Sequence, residues 1–118
     1  MANAAELIRK QIVGTEMSAI TFVRDYVQMH FDGPKFNVMT PMAVSAPGVA
    51  SVSGDDQFRN RLCGQIGKMV AEVSIEEGKS LQIAFADGSR ISMSLKEVDF
   101  VGPEGVNYFG NEGLSLVI

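Results

Sequence analysis

The sequence predicts an α+β domain made of a duplicated α-β-β-β unit with antiparallel meanders, two helices packed on the sheet or sheets, and a C-terminal hairpin. Three observations predict it. First, one apolar/polar alternation ending in Asp-Gly occurs twice. It runs through Val27-Gln28-Met29-His30-Phe31-Asp32-Gly33 and again through Leu81-Gln82-Ile83-Ala84-Phe85-Ala86-Asp87-Gly88. Each is the pattern of a half-buried strand entering a hairpin turn. Second, the flanks repeat in order. Gly14, Met17, Ile20 and Phe22 match Gly67, Val70, Val73 and Ile75, while Lys35, Phe36 and Val38 match Arg90, Ile91 and Met93. Third, the second copy's two extra residues fall in turns, where they leave the face of every strand unchanged.

The first copy opens with Asn3 as helix N-cap and Glu6 three residues on, a capping-box spacing. Ala4, Leu7, Ile8 and Ile12 then recur at helical period, and Gly14 is placed to end the helix. Residues 17–23 predict a first strand, 26–31 a second and 36–40 a third. Phe22 is expected opposite Val27, Ile20 opposite Met29, Phe36 opposite Met29, and Val38 opposite Val27. Pro34 lacks the N–H of a two-residue turn, which favours a four-residue loop. Thr40 to Asp55, with two prolines, two glycines and many small residues, is expected to be a connecting seam. A second helix starts at Gly54 or Asp55, places Phe58, Leu62, Cys63 and Ile66 on its inner face, and ends at Gly67. Strands 69–75, 80–85 and 90–95 follow, with a three-residue loop and Gly88 left-handed. Ile75 pairs with Leu81, Val73 and Ile91 with Ile83, and Met93 with Leu81. The register thus buries Ile20, Met29, Phe36, Ile83, Ile91 and Met93 and exposes Gln28, Gln82 and Arg90. A last hairpin spans 105–118. Whether the copies share one sheet, form two, or curl into a half-barrel stays open.

The chain's 118 residues make one domain, with repeats at about 3–40 and 55–96. A hydrophobic fraction of 46% and a charged fraction of 20% suit a folded globule. No apolar run is long enough to cross a bilayer, and Met1 to Lys10 lacks the apolar core of a secretory signal. Cys63 is the single cysteine, so neither an internal disulfide nor a cysteine-pair metal site is expected. A cytoplasmic location with no membrane partner follows. Net charge is −4, and nothing after Lys96 is basic, which argues against nucleic acid.

Chemistry is sparse. His30, the single histidine, is expected between Ala19 and Lys35 on the polar face, without the further ligands a metal needs. Cys63 reads as a small core hydrophobe. No phosphate-binding glycine loop, nucleophile elbow or zinc spacing is present, so no cofactor is expected and the enzyme class is disfavoured. An enzyme would need Glu104, Asp99, His30 or Tyr108 to converge. What remains is a surface. The registers align Thr21, Gln28 and Asn37 in one copy and Ser74, Gln82 and Ser92 in the other, with Tyr26 and His30 flanking the first row. Such rows bind a peptide or ligand through side-chain hydrogen bonds, and also occur on any solvated sheet face. Tyr26, Gln28, His30, Asn37 and Gln82 are the candidate binding residues.

The order helix, Gly, strand, Asp25-Tyr26-x-Gln28-x-x-Phe31-Asp32-Gly33, seam, Arg61-Leu62-Cys63-Gly64-Gln65-Ile66-Gly67 and the second Asp-Gly strand resembles a group of small uncharacterised bacterial proteins. The likeness covers residues 7–109, including Gly102-Pro103-Glu104. It implies no established activity and carries over no site residues. Some look-alike small domains are immunity proteins that neutralise toxins. The function expected is therefore a non-catalytic protein-interaction module. A small-ligand binder with a pocket between the repeats and an immunity-type inhibitor are the alternatives. A homodimer is also expected, through an edge strand or through seam residues Met39, Met42 and Val44, which are more apolar than a loop requires.

Overall fold

The computed structural model describes residues 3–100, 102 and 104–118. Among them the chain forms helix α1 (Ala4–Ile12) and strands β1 (Ala19–Val23), β2 (Tyr26–His30), β3 (Lys35–Val38), β4 (Met42–Ala46) and β5 (Val49–Val52). Helix α2 (Phe58–Cys63) follows, then β6 (Val70–Glu76), β7 (Ser80–Phe85), β8 (Arg90–Ser94), β9 (Val106–Phe109) and β10 (Ser115–Val117). All strand pairs are antiparallel. They build two five-stranded sheets, ordered β1-β2-β3-β9-β10 and β5-β4-β8-β7-β6. The α+β class is thus established, and the meanders lie in separate sheets.

Within each meander the register follows from which side chains shun water. Phe22 faces Val27, Ile20 faces Met29, and Met29 also faces Phe36. Ile75 faces Leu81, and Ile83 faces both Val73 and Ile91. Met29, Phe36, Ile83, Ile91 and Met93 are fully buried. Ile20 is only half-buried, because β1 is an edge strand with a neighbour on one side. Gln28 and Gln82 are half-buried rather than exposed, since each sits on an interior strand with a neighbouring strand on both sides. Arg90 is exposed as expected. The last register pair is His30 with Lys35, so four residues connect β2 to β3. Within them the Phe31 N–H donates to the Pro34 carbonyl at 2.8 Å, leaving Asp32 and Gly33, both at positive φ, at the tip.

The stretch 40–55 is where the sequence reading fails. It is a hairpin, β4–β5, with Ala46 opposite Val49 across Pro47-Gly48. Gly48 takes φ +76° there, a conformation that proline at the preceding position favours and that side chains resist. Met42 and Val44 alternate into the core, at 3% and 4% exposure. Small Ala and Ser residues between them mask the strand signal, and two prolines read as loop. The second helix is also shorter than expected. It runs from Phe58 to Cys63 with Gly64 as C-cap. Tighter i→i+3 bonds from Gln65 to Leu62 and from Ile66 to Cys63 then carry the chain to Gly67, at φ +91°. The turn that follows leaves Cys63 and Ile66 exposed and rotates Gln65 inward, so the expected inner face is kept only by Phe58 and Leu62. Asn3 does cap α1, its Oδ1 accepting the Glu6 N–H at 2.9 Å. Gly14 takes a left-handed φ of +87° just beyond the helix end.

One apolar core joins both sheets and both helices, from Ile8 and Ile12 through Phe36 and Tyr108 to Ile83, Ile91 and Met93. Phe36 is fully buried in it, with the Phe31 ring edge-on at 5.8 Å and the Tyr108 ring tilted at 4.9 Å. Where the halves of the chain meet, backbone bonds run in reciprocal pairs. Gly14 N donates to Val70 O at 2.9 Å and Gly67 N to Met17 O at 2.8 Å. Met17 N donates to Lys68 O at 3.1 Å and Val70 N to Thr15 O at 2.9 Å. The two hairpins cross over. β4 follows β3 in sequence but pairs with β8, while β9 pairs with β3.

The second Asp-Gly loop is tied to the turn after α2 by a closed polar ring. Gln65 Nε2 donates to Ser89 Oγ at 2.8 Å, and the Ser89 hydroxyl donates to Asp87 Oδ1. Lys68 Nζ reaches Gln65 Oε1 at 2.9 Å and Asp87 Oδ2 at 2.8 Å. The Lys68 ammonium, helped by the hydroxyl and amide of Ser89, holds the Asp87 carboxyl well below the usual carboxylate range. Between the folded and unfolded pKa values the unfolded chain binds more protons. The stabilisation is therefore complete above the unfolded value of about 3.9 and is lost as pH falls through the folded one. In thermal melts, Asp87→Asn should lie below the native protein by a constant margin above about pH 5. That margin should shrink on acidification below about pH 4, and a margin that widens there would contradict the assignment. The carboxylate is half exposed, so solvent keeps the effect small.

Candidate interaction surface

Strand alternation gives each sheet a core face and an outer face, and the outer faces hold the candidate residues. On the first sheet, cross-strand pairing aligns Thr21, Gln28, Asn37, Asn107 and Val117 in one row. A second row runs Ala19, His30, Lys35, Phe109 and Ser115. Tyr26 faces Val23 two positions from Gln28, and Met39 follows β3 on the same side, both Tyr26 and Met39 half-buried. So Tyr26, Gln28, His30 and Asn37 do share one face, and Met39 adjoins it. Gln82 does not. It lies on the outer face of the second sheet, in the row Ser74, Gln82, Ser92, Ala43 and Val52.

The seam residues Met42 and Val44 correct the expected dimer interface. Both point inward, and side chains at 3% and 4% exposure offer nothing to a partner that docks on the surface of the folded chain. Their apolar character, which suggested a contact surface, is explained by a core strand.

The two outer faces differ in chemistry. The first mixes amides with Tyr26, Phe109 at 37% exposure, Val23 at 38% and Val117 at 67%. Its charges are few. Lys35 lies over the Phe109 ring at 5.7 Å, and the Asn107 amide donates to Glu104 Oε2 at 2.7 Å. The Oδ1 atoms of Asn37 and Asn107, register neighbours, are both shielded and meet no donor among the described residues. The second face is mainly serine and alanine, with Gln82 Oε1 already accepting from Arg90 at 2.9 Å. Interface cores favour aromatic and methionine side chains and disfavour Ser, Ala and most charges. Of the two faces the first holds more of the favoured types, in Tyr26, Phe109 and Met39.

Asn107, Phe109 and Val117 escape the sequence reading. The last hairpin is visible in the sequence, but nothing local says that it docks beside β3. The residues that an enzyme would need do not form one cluster. Tyr108 points inward and donates to Gln11 Oε1 at 2.6 Å, with burial pushing its hydroxyl up to about 12. Asp99 accepts from Ser94 at the second sheet, and His30 lies between Ala19 and Lys35 on the first. Among the described residues no three His, Cys, Asp or Glu side chains converge as a metal site. No helix in the described residues is long and apolar enough to cross a membrane.

A cleft of about 340 Å³ opens between the β1–β2 turn and the start of α2. Phe22, Tyr26, Met39, Phe58 and Arg59 line it, and the Arg59 guanidinium lies over the Phe22 ring at 5.7 Å. No protein-family model matches the chain, and neither does a curated protein or a solved structure.

Proposed function

We propose that the protein is a non-catalytic binding module that presents the outer face of its first sheet to another protein. The observation that carries this reading is the contrast between the two faces. One is amide- and aromatic-rich and nearly uncharged, while the other is serine-rich with its glutamine already engaged. Neutralising a partner in the manner of an immunity protein is one form such binding takes. The cleft beside α2 is a weaker candidate for a small ligand. Ligand sites enclose most of their ligand, and Phe22 and Val23 at this one are 40% and 38% exposed.

The internal duplication is part of the same proposal. Its support is the reciprocity of the bonds at the centre, where Gly14 and Met17 of one half exchange roles with Gly67 and Val70 of the other. The hairpins support it as well. Phe36 faces Tyr108 as Ile91 faces Val44, and Val38 faces Val106 as Met93 faces Met42.

Affinity capture from cytosol tests the surface. Gln28→Lys with Val117→Lys charges the middle and the end of one row without touching the core. A captured partner should lose roughly tenfold or more in affinity, since unpaired charges are then desolvated at the contact. Gln82→Lys, on the other sheet, should retain the partner. Equal binding by both variants, or loss with Gln82→Lys alone, would refute the assignment.

A further inference from the structure

Each half of this chain is finished by strands of the other. The N-terminal half, residues 3–53, supplies β1, β2 and β3 of the first sheet, but that sheet is completed by β9 and β10. The C-terminal half supplies β6, β7 and β8 of the second, completed by β4 and β5. The helices cross over too. α1 packs on β6, where Arg9 Nε donates to Val73 O at 2.9 Å and meets Glu72 Oε1 at the same distance. α2 packs on β4 and β5. All these contacts join two parts whose single covalent link is the segment between Val52 and Phe58.

We propose that the partner this arrangement fits is a second copy of the same chain, with which it exchanges halves. In the exchanged dimer, the N-terminal half of one chain folds with the C-terminal half of its partner. Every strand pair and core contact is kept, so the monomer and the dimer differ only in the linker and in concentration. The linker is the switch. In the closed form Asp55 Oδ2 accepts the Val52 N–H at 2.9 Å, and the Asp55 N–H returns to Val52 O at 3.0 Å. The same carboxylate covers an outward N–H of edge strand β5, which disfavours simple edge-to-edge pairing there. A dimer is thus expected by a route other than the apolar seam: Met42 and Val44 serve as core in either form.

The full chain tests the proposal by being unfolded in guanidinium and refolded at low and at high protein concentration. Alongside it goes a chain lacking Gly54, Asp55 and Asp56, whose linker is too short to fold back. A species of twice 12.7 kDa should grow with refolding concentration and should persist after dilution, since separating it requires unfolding. The shortened chain should give that species at every concentration. A Cys63→Ser chain carrying Ala43→Cys and Ser92→Cys reports who pairs with whom, because positions 43 and 92 are opposite each other on β4 and β8. Its disulfides should join two chains in the dimer and lie within one chain in the monomer. A monomer under all conditions for the full-length chain overturns the proposal, whatever the shortened chain does. So does a dimer that falls apart on dilution, which would mark an ordinary surface contact.

Discussion

Val44→Asp should leave no cooperatively folded protein near physiological temperature. Val44 is 4% exposed, faces Ile91 across β4 and β8, and belongs to the shared core. An aspartate there would be an ion without a partner, or a neutral acid with unmet hydrogen bonds. Either costs on the order of 4–5 kcal/mol. A domain of this size is stable by only about 5–15 kcal/mol, so the loss approaches the whole margin. Val52→Asp is the control. Val52 ends β5, is 52% exposed and should tolerate the charge with little change in the urea midpoint. If Val44→Asp were to fold as well as Val52→Asp, β4 would not be a core strand.

Gly110→Ala should be the next most damaging change. A Cβ at this position would overlap Gln11 Oε1 and stand 2.8 Å from the Tyr108 ring. Gln11 cannot simply swing aside, because its Oε1 accepts both the Tyr108 hydroxyl at 2.6 Å and the Asn111 N–H at 3.0 Å. Displacing it breaks the tie between α1 and the turn joining β9 to β10. Overpacking and lost hydrogen bonds together cost about 2–4 kcal/mol. Thermal melts should show a fall on the order of 10 °C. Pairing the change with Gln11→Ala removes one side of the overlap. The double variant should therefore be less destabilised than the sum of the two single ones. Strict additivity would mean that the two residues do not meet.

These two sites also mark where sequence reasoning reaches its limit. Contacts within a meander are legible because they are local. The alternation of Val27, Met29 and Phe31, and the Asp-Gly that follows, fix both the strand and its hairpin partner. Tyr26, Gln28, His30 and Asn37 fall on one face for the same reason. Gln82 does not join them, because nothing local decides whether two meanders share a sheet. The pairing of β3 with β9 and of β4 with β8 is set by tertiary packing, so Asn107, Phe109 and Val117 could not be assigned to the surface. Met42 and Val44 did alternate correctly for a strand. Pro41, Pro47, Gly48 and the surrounding small residues outweighed that signal. The apolar period continues past Gly64 to Ile66, but the helix does not, so Cys63 and Ile66 fall outside the core.

The crossing of the hairpins has a consequence during synthesis on the ribosome. Phe36 cannot meet its β9 neighbour Tyr108 until the intervening chain has been made, since 108 − 36 = 72 positions separate them. At translation rates of about 5–20 residues per second, that is a delay of roughly 4–14 s. Throughout it, β3 is an uncovered edge, and Met29 and Phe36 lack part of their cover. Exposed apolar surface and an unpaired strand edge are the features that make incompletely folded chains prone to aggregate. Slow translation early in the message would protect nothing, because the missing strands come last.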